Sequence, residues 1–166
     1  MLTAPVINGA RVRLRPHRIG DMEAFWAFYQ SPRAQMMDRP QTKTHLWHGF
    51  ASETGSWALV GMGGWAVDLN DEIIGQITVT QPPHFAEPEI GWMLFDGFEG
   101  QGYAFEAAEL ALSYSRQSIK PTSLVSYIDA ANTRSIALAK RLGGVLDDSA
   151  EKHDAEDVVY RYEVAA

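Results

Sequence analysis

The chain contains no cysteine. Disulfide bonds, zinc sites built from thiolates and a covalent acyl-cysteine intermediate are therefore excluded, because each of them requires a cysteine sulfur. The lack of disulfides fits the reducing environment of the cytoplasm, and we expect a cytoplasmic protein.

Long apolar runs and a signal sequence are absent as well. No segment reaches the roughly 18 consecutive apolar residues that indicate a transmembrane helix. The N-terminal sequence MLTAPVINGARVRLRP also lacks the apolar core of a secretory signal. We therefore expect neither secretion nor a membrane partner.

Basic residues are in the minority. Lys and Arg total 14 against 21 Asp and Glu, for a formal net charge of −7. Such a protein has no basic field with which to neutralise a phosphate backbone, so nucleic-acid binding is disfavoured. The acidic excess mildly favours a cationic acceptor, although solubility is the more common reason for it.

The composition that remains predicts one globular domain. Of 166 residues, 46% are hydrophobic and 21% are charged. A domain of this length buries roughly 70% of the surface of its unfolded chain, which is enough for a real core. Neither a linker nor a repeat interrupts the pattern, so residues 1–166 are taken as a single domain.

Strand and helix patterns alternate in the first third of the chain. Val12 and Leu14 alternate with arginines and predict a short strand with one buried face. Asp21 is suited to cap the apolar helical pattern that follows it. A weaker helix is predicted over residues 44–54.

The central part of the chain has a period of two. From Trp57 to Phe95, apolar and polar residues alternate, which predicts strands joined by short turns. In this pattern Ile73, Ile77 and Val79 are assigned to one face and Ile74 to the other.

The last third begins with a glycine-rich loop over residues 96–102. An Ala-rich helix is predicted over 103–117, a strand over 122–129, a helix capped by Asn132 and a final strand that ends near Val164. Together the elements predict an α+β fold, with a mostly antiparallel twisted sheet of about 6–7 strands flanked by about four helices.

The loop over residues 99–104 has the chemistry of an anion site. It enters the first turn of a helix, where four backbone N–H groups have no intrahelical partner and the dipole adds roughly half a positive charge. Gly100 and Gly102 would let a pyrophosphate approach the backbone closely. An ordinary strand-to-helix turn explains the two glycines equally well. The dinucleotide fingerprint fails at Phe105, and no P-loop occurs.

Three segments in a fixed order carry a more specific signal. They are EIGWML at residues 89–94, GQGYAFEA at 100–107, and NTRSI at 132–136 followed by RLGG at 141–144. In these segments, and in its opening VRLRP, the chain resembles the GNAT superfamily of acyl-CoA N-acyltransferases and, within it, the RimJ/RimL-like N-acetyltransferases.

The resemblance implies a cytoplasmic enzyme with acetyl-CoA as co-substrate and no metal. The acetyl group would pass to a primary amine of a protein N-terminus or a small molecule, by direct attack in a ternary complex. Two central strands would splay to admit the pantetheine arm. The implied CoA-binding residues are Met93, Leu94, Phe95, Gln101, Gly102, Tyr103, Ala104, Phe105 and Asn132.

The chain departs from the family pattern at two positions. Glu99 replaces the usual Gln or Arg, and its charge would oppose a phosphate unless it points away. Ala139 replaces the tyrosine that protonates the departing thiolate in many members. Ser135 is the candidate substitute, although a helix-start role explains this serine nearly as well.

Glu89 is the candidate base because an amine attacks a thioester only when it is neutral. A solvated carboxylate at a strand end is the alternative interpretation. The missing tyrosine also motivates a second class of function, a non-catalytic CoA-binding sensor or partner protein. His45 and His48 are interpreted as surface or packing residues rather than metal ligands. The acceptor pocket is expected within residues 25–57, and a homodimer is left open.

Overall fold

The computed structural model describes residues 3–37 and 39–164. Within these ranges, eight strands form one sheet and four α-helices pack against it, which confirms the α+β prediction. The strands are β1 (Ile7–Asn8), β2 (Arg13–Arg15), β3 (Gly63–Leu69), β4 (Glu72–Thr80), β5 (Glu89–Leu94), β6 (Val125–Asp129), β7 (Val145–Leu146) and β8 (Asp157–Arg161). The helices are α1 (Met22–Gln30), α2 (Lys43–Val60), α3 (Tyr103–Tyr114) and α4 (Thr133–Arg141).

The sheet divides between β5 and β6. The strand order is β1-β2-β3-β4-β5-β6-β8-β7, and the β5–β6 pair is parallel whereas its neighbours in the sheet are antiparallel. The two strands share one register pair, Glu89 with Val125, whereas β4 and β5 are paired along six positions. At the closed end of the gap, the Ser126 hydroxyl donates to the carbonyl oxygen of Ile90 at 2.6 Å. The predicted splay of the central strands is therefore present.

Two apolar clusters occupy the two faces of the sheet. One packs the buried alanines of α3 against Ile77, Val79 and Ile90. The other is aromatic and joins α1 and α2 to Phe95. Successive residues on β5 point to opposite faces, so the strand contributes to both clusters and to the cleft between them.

The strand pattern predicted to begin at Trp57 begins later. Helix α2 continues to Val60 and ends at Gly61, which has a left-handed φ of 73°. The indole N–H of Trp57 donates to the carbonyl oxygen of Gly64 at 3.0 Å, and its ring lies 4.5 Å from that of Trp65. These contacts stabilise the helical end, so tertiary packing overrides the local period-two pattern.

The face assignment of Ile73 is wrong. The β3–β4 register shifts between Val67 and Asp68, so one extra residue of β4 stands opposite this point. Such a bulge reverses the alternation. Ile74 is consequently buried with Ile77 in the first cluster, whereas Ile73 packs against the aromatic one.

Asp21 makes no side-chain cap for α1. Its carboxylate is buried instead and accepts two hydrogen bonds from the guanidinium of Arg15, at 2.7 and 2.9 Å. Arg15 also donates to Asp68 at 2.8 Å. The paired charges satisfy one another in the interior, which joins α1 to β2 and β3.

Candidate active site

A cleft of about 840 Å³ opens where β5 and β6 diverge. Its walls come from β4, β5 and β6, from the first turns of α3 and α4, and from α1 and α2. This volume lies in the range of sites that bury a ligand of cofactor size. Because the cleft extends to both sides of β5, it joins two regions of different chemistry.

The first region is the start of α3. Gly102 precedes this helix with a left-handed φ of 83° and no side-chain cap, and Gly100 has a φ of 75°. The loop is held from outside by Arg11, which donates to the carbonyl oxygen of Gln101 at 2.8 Å and to Glu106 at the same distance. The N–H groups of the first turn are therefore presented to the cleft by a fixed loop.

Arginines on α4 add positive charge to this region. Arg134 and Arg141 line the cleft. The guanidinium of Arg141 lies 4.0 Å from the ring centre of Phe105, a cation–π contact that orients it beside the helix start. Backbone N–H groups and guanidinium groups together suit a polyphosphate ligand.

Glu99 is neutralised by a neighbouring cation. Its carboxylate pairs with Arg33 at 2.9 Å and accepts the backbone N–H of Gly97 at 2.9 Å. Backbone hydrogen bonds, first from its own N–H, and the charge of Arg33 lower the pKa of Glu99. The negative charge that the sequence placed beside the anion site therefore has a counterion.

The second region contains two partly buried carboxyl groups, Glu53 on α2 and Glu89 at the start of β5. Burial raises the pKa of Glu53 to about 7. Burial also raises the pKa of Glu89 to about 7, although a hydrogen bond from the Tyr127 backbone lowers it. The negative charges of Glu53 and Asp157 raise it further. A carboxyl with a pKa near neutrality is suited to accept a proton at that pH.

Glu89 therefore lacks the environment of a solvated strand-end carboxylate. Glu87, by contrast, forms a partly buried ion pair with Arg161 at 2.6 Å, so its charge has a counterion. Two residues apart on an extended chain, the two carboxylates have separate environments.

Glu53 was missed by the sequence reasoning. It is the acidic residue of α2 and stands three residues after the buried Phe50 and four before the buried Trp57. This spacing places an acid on the apolar face of a helix. Such a position was the signal that could have identified it, but its significance depends on the sheet that covers this face.

Comparison with known proteins agrees with this arrangement. Residues 11–145 match the family described as acetyltransferase (GNAT) domain. The chain belongs to the GNAT acetyltransferase family. An acetyltransferase from Agrobacterium tumefaciens str. C58 is 38% identical, with a TM-score of 0.92 over 96% of this chain and 95% of that one.

More distant GNAT structures share the fold. An acetyltransferase of the GNAT family from Bacillus anthracis is 21% identical, with a TM-score of 0.74 over 95% of this chain and 96% of that one. RimL, a ribosomal L7/L12 alpha-N-protein acetyltransferase in complex with coenzyme A, is 17% identical, with a TM-score of 0.72 over 96% and 98%. At these identities the two structures show a shared fold.

Most residues that the GNAT resemblance implied for CoA binding line the cleft. These are Met93, Leu94, Gly102, Tyr103, Ala104, Phe105 and Asn132. Phe95 lies elsewhere, because its ring packs 5.2 Å from Phe25 and its N–H donates to Ile74. The side chain of Gln101 donates to the carbonyl oxygen of Gly97 and is exposed.

Ser135 lies in the first turn of α4 and its side chain faces the cleft. Its backbone N–H is capped by the side chain of Asn132 at 3.1 Å. Its hydroxyl accepts the indole N–H of Trp92 at 3.2 Å and lines the cleft. An accepting hydroxyl keeps its own proton to donate. Ala139, the position of the tyrosine in other GNAT proteins, is fully buried.

Metal sites and membrane-spanning helices are absent from the described residues. No group of three or more His, Cys, Asp or Glu in the ranges 3–37 and 39–164 could hold a metal ion. Over the same part of the chain, no helix has both the length and the apolar character that crossing a membrane requires.

Proposed function

We propose that this GNAT acetyltransferase transfers an acetyl group from acetyl-CoA to a primary amine of a protein N-terminus or a small molecule, by direct attack in a ternary complex. The observation that carries the proposal is that one cleft joins the uncapped start of α3 to two partly buried carboxyl groups. One end suits a pyrophosphate and the other suits an ammonium group.

The start of α3 and the arginines of α4 would hold the donor. Backbone N–H groups from Gly102 to Phe105 face the pyrophosphate, and Arg134 and Arg141 neutralise its charge. The β5–β6 gap leads from this point towards Glu89, since the strands diverge beyond that residue. Acetyl-CoA supplies the activated thioester.

Glu89 is the proposed base. A lysine-like ammonium has a pKa near 10.4 and an α-amino group one of about 7.7–8.0, so both are largely protonated at neutral pH. Glu89 takes one proton from the ammonium group. The neutral nitrogen then attacks the thioester carbon, and the carbon–sulfur bond breaks. The thiolate receives the proton of the Ser135 hydroxyl, and the second proton lost from the nitrogen restores that hydroxyl. Backbone N–H groups on β5 stabilise the oxyanion.

The proposal is tested by thiol release from acetyl-CoA with a panel of primary amines. Glu89→Gln should lower kcat/KM by about 100-fold, at the lower end of the range for general base catalysis. The defect should shrink as the pH approaches the pKa of the amine, because the free amine no longer needs a base. Glu72→Gln, on an exposed residue of β4, is the matched control.

Two outcomes of this experiment would contradict different parts of the proposal. Tight acetyl-CoA binding without thiol release for any amine would support the sensor class and overturn the proposal. A Glu89→Gln protein with normal kcat/KM at pH 7 would remove Glu89 from the mechanism and leave the transfer itself intact.

A further inference from the structure

A second cavity adjoins the acceptor end of the cleft. It has a volume of about 360 Å³ and lies between α1 and α2. The cleft and the second cavity share three lining residues, Tyr29, Glu53 and Gln76. Glu53 therefore stands where the two spaces meet. We call this second space the branch cavity.

The position of Glu53 depends on a glycine beneath it. A Cβ atom on Gly64 would lie 3.1 Å from Cβ of Glu53 and 3.0 Å from Nε2 of His17, both tighter than ordinary packing. Oε2 of Glu53 lies 3.4 Å from the same position, so glycine at this point of β3 lets α2 and this carboxyl group approach the sheet closely. Packing against Gly64 therefore holds Glu53 in place on α2.

One oxygen of this carboxyl group has no partner in the described structure. Oε2 of Glu53 is buried and makes no hydrogen bond. A buried carboxylate oxygen without a donor is costly, and the large majority of buried polar atoms are satisfied. Oε2 lies on the side of Gly64 and His17, so the carboxyl group as a whole, which lines both cavities, is what offers an ammonium group its opposite charge.

The other walls of the branch cavity have a different character. Phe25, Leu46 and Phe50 are buried apolar residues, whereas Arg39 and His45 are exposed. Glu53 is the acidic residue among the lining residues, and Arg39 is a permanent cation. A ligand that places its ammonium group at Glu53 would therefore extend over an apolar surface towards a positive charge.

We propose that the branch cavity binds the body of the acceptor and selects primary monoamines with an apolar or aromatic body, the ammonium group being held by Glu53. A neutral or anionic group is accepted at the far end, near Arg39. Polyamines and aminoglycosides are disfavoured, because a second ammonium group there meets a like charge and, among the described lining residues, no acid. This inference rests on the proposed amine acetylation and names its substrate class.

Three amines with one common frame test the charge rule. They are 2-phenylethylamine, 4-(2-aminoethyl)benzoate and 4-(2-aminoethyl)benzylamine, which differ in a neutral, negative or positive group at the far end. We expect kcat/KM for the diamine to be about tenfold below that for 2-phenylethylamine. The value for the benzoate should equal or exceed that for 2-phenylethylamine. A preference for the diamine, or for spermidine, would overturn the proposal.

Two glycines on α2 provide a matched pair of variants. A Cβ on either Gly49 or Gly55 would meet open space, but Gly49 lines the branch cavity and Gly55 lines neither cavity. Gly49→Phe should fill the cavity and reduce the ratio of kcat/KM for 2-phenylethylamine over methylamine by about tenfold. Gly55→Phe should leave this ratio unchanged. An unchanged ratio in both variants would show that the acceptor body lies elsewhere.

Glu53 itself is tested by Glu53→Gln. We expect KM for amines to rise by about tenfold or more, with the dissociation constant of acetyl-CoA unchanged, because the residue lies at the acceptor end. A normal KM would remove Glu53 from amine binding. If none of the amines gives thiol release, the proposed function fails. If thiol is released equally with the three aromatic amines, only this inference fails.

Discussion

The two ends of the cleft are built by different means. The donor end consists of backbone N–H groups, two glycines with positive φ, and arginines that face solvent or pair with a glutamate. The acceptor end consists of aromatic rings and two partly buried carboxyl groups with raised pKa values. Local backbone geometry is therefore sufficient to build the donor end, whereas the acceptor end depends on burying side chains that are distant in sequence.

The largest effect should be on stability at the acceptor end. Burial raises the pKa of Glu53 from its ordinary value near 4.5 to about 7. The folded protein therefore binds this proton more tightly than the unfolded chain does. The corresponding stability is fully present below pH 4.5 and is lost as the pH rises through about 7.

Glu53→Gln should consequently raise the free energy of unfolding at pH 8 by up to roughly 3 kcal/mol, and change it little at pH 4. Urea unfolding of the ligand-free protein at the two pH values measures the difference. Glu109→Gln, on an exposed residue of α3, is the control. Equal effects of Glu53→Gln at both pH values would show that this carboxyl is not held in a costly environment.

The next effect concerns the junction of the two ends. Ser135→Ala removes the proposed proton donor to the thiolate, and we expect kcat to fall by about 100-fold, the low end for a general acid. The affinity for CoA should stay within a few-fold. Thr133→Ala, on an exposed residue of the same helix, should have no effect on kcat. A normal kcat in Ser135→Ala would limit this serine to the start of α4.

A smaller effect is expected at the glycines of the donor end. Gly102→Val places a β-branched side chain at a left-handed φ and 3.3 Å from Arg11. The strain and the crowded loop should weaken CoA binding by about tenfold, measured by titration calorimetry. Gly143→Val introduces similar strain at φ 86°, in open space away from the cleft. If both variants lost CoA affinity equally, general destabilisation would explain the loss.

The smallest effect should come from the Glu99 ion pair. Exposed pairs contribute little, so Glu99→Gln should change CoA affinity less than about threefold. Arg33→Ala should weaken binding more, because it leaves the carboxylate charge of Glu99 uncompensated beside the phosphates. Adding Glu99→Gln to Arg33→Ala should restore part of the affinity. Additive losses in the double variant would contradict compensation between the two charges.

The sequence predicted the glycine-rich loop and the helix starts of the donor end because the information for them is local. Glycines, a helix start and the Asn132 cap lie within short segments, and the structure places them as those segments indicate. The prediction failed where packing decides: Trp57 is helical, a bulge turns Ile73 to the other face, and Asp21 pairs with Arg15.

By itself the sequence determined the α+β class, the GNAT family and the glycine-rich loop that enters α3, since composition, periodicity and short motifs carry these properties. The tertiary structure alone decided that Glu53 meets Glu89 in one cleft and that the branch cavity lies beside them. The physical reason is that burial and charge coupling arise only when α2 packs against β3 and β4. A pKa near 7 is therefore a property of the folded environment and not of the glutamate.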